Sequence, residues 1–74
     1  MSVDVILTTR NEADQIVEKN IGTTRVSFRT DLKGRVTELA SHYFRSEFSV
    51  IRRGTTLFPF VAINKTTREC IHLQ

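Results

Sequence analysis

One stretch of this chain repeats with a helical period over three full turns, and it limits what the rest can do. Leu32, Val36, Leu39, Ala40, Tyr43 and Phe44 fall at i, i+4, i+7, i+8, i+11 and i+12, a single apolar stripe. Lys33, Thr37, Glu38, Ser41 and Arg45 take the opposite side, and Thr30 or Asp31 is placed to cap the first turn. The spacing predicts a long amphipathic helix over residues 31–45. Such a stripe must be buried against another layer, and most of the remaining sequence reads as strands. The expectation is an α+β fold: one domain over residues 1–74, with a small antiparallel or mixed β-sheet and the long helix packed on one face.

The strands announce themselves unequally. Val3–Thr8 is short, β-branched and apolar on both faces, as a covered central strand would be. Thr24–Thr30 alternates strictly: Thr24, Val26, Phe28 and Thr30 share one face, and Arg25, Ser27 and Arg29 share the other. Phe48–Arg52, Leu57–Ile63 and Arg68–Leu73, separated by turns at 53–56 and 64–67, read as a three-stranded meander. Phe28, Tyr43, Phe44 and Phe48 all fall on core-facing patterns.

Residues 10–20 carry two readings. Thr9-Arg10-Asn11-Glu12 matches a capping box, and Ala13, Ile16 and Val17 share one helical face ahead of Gly22, which is placed for a C-cap. These features favour a short first helix over 10–20. The competing reading is a hairpin turn at Arg10–Asp14 followed by a strand over Gln15–Ile21.

Composition removes several classes of protein. A chain of 74 residues buries only about 60% of the surface that its unfolded form exposes, so the core is thin. Cys70 is the one cysteine, which rules out an internal disulfide and reads as a small apolar core residue. With His42 and His72 it supplies no set of metal ligands, and no cofactor is expected. No apolar run approaches the length of a membrane span. Met1–Val5 lacks the basic start of a signal peptide, so a cytoplasmic location is expected.

No catalytic or phosphate-loop motif is present, and the expectation is a protein that is not an enzyme. The best catalytic set, His42, Arg45, Glu47, Arg52 and Arg53, offers a base and phosphate-binding cations such as a small ribonuclease toxin would use. No fixed spacing unites these residues, and Glu38 stands four residues before His42 as a local partner.

What remains is surface. The net charge is +3, with eleven Lys and Arg against eight Asp and Glu. The acidic residues concentrate early: Asp4, Glu12, Asp14 and Glu18 precede residue 20, where only Arg10 and Lys19 oppose them. Arg25 and Arg29 share a strand face, and Arg52 and Arg53 follow the helix. If their strands are neighbours, the four arginines form a phosphate-binding stripe. Phe58 and Phe60 are the phenylalanines left free by the core pattern. Pro59 between them cannot donate to a ladder, so residues 57–63 read as an edge strand or as one with a bulge there; unless the first helix covers it, this apolar edge is open to a protein partner or to a second copy in a homodimer.

In its order of strand, amphipathic helix, strand and strand, the segment 24–63 resembles the small host-modulating proteins that bacteriophages and mobile elements encode. That resemblance implies a modulator or inhibitor that binds and blocks a larger host protein in the host cytoplasm, such as RNA polymerase or a CRISPR effector. The alternative function is direct nucleic-acid binding through the arginines, and the third is the ribonuclease toxin. The expected binding residues are Arg25, Arg29, Arg52, Arg53, Phe58 and Phe60.

Overall fold

The longest elements of the sheet pair with one another. β1 (Ser2–Arg10) and β2 (Ile16–Arg25) form an antiparallel hairpin, followed by α1 (Leu32–Tyr43), β3 (Phe48–Arg52), β4 (Phe60–Asn64) and β5 (Cys70–Leu73). The computed structural model describes residues 1–54 and 56–74; of the expected turn at 53–56, Thr55 lies outside the described residues. The five strands make one sheet in the order β2-β1-β5-β4-β3, antiparallel at every step. The fold is α+β, with this sheet and one helix.

α1 begins where Asp31 turns its carboxylate back to accept a hydrogen bond from the Gly34 N–H at 3.0 Å. It ends two residues earlier than the spacing predicts, with Phe44 already extended. Val36, Ala40 and Phe44 meet Val3, Val5, Leu7, Ala62, Ile71 and Leu73 in a single buried cluster. The helix rests on β3, β4 and β5. The other side of the sheet carries no helix among the described residues, and no helix is long and apolar enough to cross a membrane.

Several expectations are corrected. Residues 10–20 form no helix. Asn11 organises a turn in which its side-chain oxygen accepts from the N–H groups of Ala13 and Gln15, and Asp14 takes a left-handed conformation. The chain then pairs with β1 from Ile16 onward, the hairpin alternative, so Gly22 lies in a strand and caps nothing. The local helical signal loses because nine residues of β1 offer backbone partners throughout this length.

The strand expected over 24–30 ends at Arg25. Ser27 and Thr30 close a tight turn by mutual side-chain and backbone bonds, the local competition through which hydroxyl residues interrupt a ladder. Phe28 therefore leaves the core and is 93% exposed, and Tyr43 is 43% exposed. Residues 57–63 are not an edge. β4 begins at Phe60 and lies between β3 and β5. Pro59 sits one residue before the ladder, where its missing N–H costs nothing and its carbonyl accepts from Arg53. The edges are β2 and β3. The strands of Arg25 and Arg52 are thus at opposite sides of the sheet, and no stripe runs between neighbouring strands. Cys70 is only half-buried.

Candidate interaction surface

The antiparallel order achieves what neighbouring strands do not. β2 ends at Arg25 beside Ser2, β3 ends at Arg52 beside Phe60, and β5 ends at Leu73 beside Val5. These chain ends, the 27–31 turn, the first turn of α1 and the 53–59 loop all fall at one end of the sheet. Arg25, Arg29, Lys33, Arg35, Arg52 and Arg53, six of the eleven Lys and Arg, gather there, against Asp4 and Asp31 alone of the eight acidic residues. The opposite end holds Glu12, Asp14, Glu18, Glu47 and Glu69 together with Arg10, Lys19, Arg45, Lys65 and Arg68, so its charges roughly balance.

Pairing follows the same division. The ion pairs among the described residues, Arg10–Asp14 at 3.2 Å, Lys65–Glu47 at 3.4 Å and His72–Glu18 at 4.0 Å, involve none of those six cations. Arg35 is spent internally: its guanidinium donates to Thr24 Oγ1 at 2.8 Å and to the Arg25 carbonyl at 2.6 Å, tying the helix to the end of β2. Two others lie over aromatic rings. The Arg29 guanidinium is 5.5 Å from the centre of the Phe28 ring, and that of Arg52 is 5.7 Å from Phe60.

Between these cations lies an apolar opening. Phe28 at 93%, Leu57 at 70% and Met1 at 68% are the three most exposed large apolar side chains of the described residues. They rim a cleft of about 290 Å³ floored by Val26, Leu32 and Phe58. The amino terminus is held in place there by its own bond to the Val26 carbonyl at 2.8 Å.

Of the six residues expected to bind, the fold places all at this end, in different roles. Arg25, Arg29, Arg52 and Arg53 are exposed. Phe58 and Phe60 are half-buried and pack against the core, so they support the surface more than they present it. Arg52 and Arg53, adjacent in sequence, diverge. Arg52 reaches Phe60, while Arg53 lines a shallow opening on the helix-free face with Thr8, Val61, Cys70 and His72.

Sequence reasoning missed Phe28 and Leu57. The signal for Phe28 was present in its neighbours, because Ser27 with Arg29-Thr30-Asp31 reads as a turn running into a helix cap. Leu57 had none, since it continues an apolar run without a break.

The catalytic set is not assembled. Arg52 and Arg53 lie at the basic end, Glu47 pairs with Lys65 at the other, and His42 is exposed on the last turn of the helix without a hydrogen bond or ion pair to Glu38. No group of three or more His, Cys, Asp or Glu among the described residues could hold a metal ion. No family model, curated protein or solved structure matches this chain.

Proposed function

We propose that this protein acts by binding, and that its basic, apolar end docks on an acidic surface of a larger protein and blocks it. The observation that carries this reading is the conjunction at one end of the sheet: exposed Phe28 and Leu57 around a cleft, with Arg25, Arg29 and Arg52 at the same end and in no ion pair among the described residues. Apolar anchors supply the affinity of most interfaces, and a charged rim supplies orientation and partner choice. Phe28, 93% exposed, buries little of its ring in the fold. The partner class is an acidic host protein, with nucleic-acid-processing enzymes as the leading candidates because their substrate channels invite occlusion.

The test is affinity capture from the producing cell with the wild-type chain and a Phe28→Ala/Leu57→Ala variant side by side. One stoichiometric protein retained by the wild type and lost by the equally folded variant is the expected result. Retention of the same proteins by both would remove the reading.

A second reading has its own observation. Phe28, with Arg29 over its ring, is the platform on which an unpaired base stacks. Direct nucleic-acid binding predicts a salt-sensitive gel shift with single-stranded oligonucleotides, weakened when Arg25 and Arg29 become alanine. No shift at low salt removes it.

A further inference from the structure

The apolar cleft at the basic end is a single opening on a surface with few other places for an apolar group. Of the exposed large apolar side chains among the described residues, Met1, Phe28 and Leu57 rim it. The others lie elsewhere. Ile16 and Val17 begin β2 and Tyr43 ends α1, all at the opposite end of the sheet, and Ile51, opposite Val61, faces the helix-free side. A folded partner of ordinary size covers about 800 Å² on each side and sets several anchors into pockets. Here there is one cleft. Its volume of about 290 Å³ lies at the foot of the range for sites that enclose a small molecule, about 300–1,000 Å³, and suits one large side chain.

The cleft is already shaped in the free protein, which lowers the entropy cost of filling it. Val26 on its floor is 4% exposed and belongs to the core, and Leu32 and Phe58 pack against that core. Backbone bonds join Met1 to Val26 in both directions, at 2.8 and 2.9 Å. The 27–30 turn that carries Phe28 is closed by bonds between Ser27 and Thr30. The charge beside the cleft is positive. The Arg29 guanidinium lies 5.5 Å from the centre of the Phe28 ring. Lys33, next to Leu32 on the first turn of α1, is exposed and in no ion pair among the described residues. The acids at this end oppose these cations little. Asp31 turns its carboxylate to the Gly34 N–H, and Asp4 points to the helix-free face, because Val3 and Val5 on either side of it enter the core.

We infer that this cleft takes one large apolar side chain, aromatic or leucine, from a short acidic segment whose flanking carboxylates face Arg29 and Lys33. The inference rests on the reading that the basic end binds protein. It narrows the partner's contribution to a linear stretch, an acidic tail or loop, in place of a broad folded face.

The chain contains no tryptophan, so a short end-blocked peptide with acidic residues on both sides of a central tryptophan reports its own binding by fluorescence. With the full chain, its emission shifts to the blue and saturates as the indole leaves water. Lysine in place of the acidic residues of the peptide weakens binding by about tenfold, and so do Arg29→Glu and Lys33→Glu together. Phe28→Ala/Leu57→Ala, its fold checked by circular dichroism, removes the shift. The same peptide with alanine for tryptophan does not compete. No saturable shift up to about 1 mM peptide overturns the inference. Equal binding of the acidic and lysine peptides, or equal binding by the wild type and Phe28→Ala/Leu57→Ala, overturns it as well. If the peptide fails while capture of a protein from cells still requires Phe28 and Leu57, the proposed function stands and the linear segment falls. If capture is also indifferent to Phe28 and Leu57, both fall.

Discussion

Asn64 is the only polar residue buried in the described structure, at 2% exposure, and it holds the β4–β5 connection together. Its side-chain oxygen accepts from Ser46 Oγ at 3.0 Å, Thr66 N at 2.8 Å and Thr67 N at 3.1 Å, and its backbone bonds to Glu69 and Arg68. Truncation leaves three donors without an acceptor, a loss of about 2 kcal/mol for a buried network of this kind. Asn64→Ala should therefore lower the urea midpoint markedly, and Asn64→Asp, which keeps the acceptor, should lower it less. Phe28 makes the opposite case. Being 93% exposed, it contributes little to the fold, so Phe28→Ala should change stability by less than about 0.5 kcal/mol. The same substitution should abolish partner capture. A large fall in its melting temperature would show that Phe28 serves the core after all. Asn64 was visible in the sequence as a turn residue. Its burial was not, because burial depends on Ser46 arriving from another part of the chain.

At the scale of elements, α1 and four of the five strands were legible. The helical stripe is long enough to outvote local noise, and the turns at 53–56 and 64–67 bracket the meander. β2 was not legible, for a physical reason. Thr9–Glu12 satisfies a capping pattern, and Ala13, Ile16 and Val17 satisfy a helical face, but that face has nothing to bury against. All three residues are exposed. Pairing with β1 satisfies the backbone of the segment without requiring an apolar face, and so the hairpin prevails. Where helical signals do have a face to bury, they hold. Asp31 caps α1 by one clear bond, and Asp31→Ala should cost about 1 kcal/mol, read as a lower midpoint with an unchanged m-value. An unchanged midpoint would mean that Thr30 or water replaces the cap.

For the whole molecule, the informative quantity is where the charge lies. A formal charge of +3 is a weak signal when spread evenly, and the sequence could show only that its acidic residues come early. The antiparallel order turns that drift along the chain into an uneven distribution in space, with six cations against two acids at the end of the sheet that holds the apolar cleft and a near balance at the other end. The arginines named from the sequence share one end of the sheet, but Arg25 and Arg52 stand on its two outer strands and Arg53 turns to the helix-free face. That arrangement depends on the strand order, which no single segment encodes. The edge expected at 57–63 moved for the same reason: a proline between two phenylalanines marks the end of a ladder, and only topology decides which strand lies beyond it.

The central claim is that the basic, apolar end is the surface through which this protein acts. It is tested most directly by placing a photoreactive benzoylphenylalanine at position 28 or 57 and, as a control, at the exposed helix position Thr37, and irradiating the cells that make the protein. The account predicts one protein adduct from positions 28 and 57, suppressed by excess unmodified chain, and none from position 37. Equal cross-linking from all three positions, or adducts at 28 and 57 that contain nucleic acid instead of protein, would contradict it.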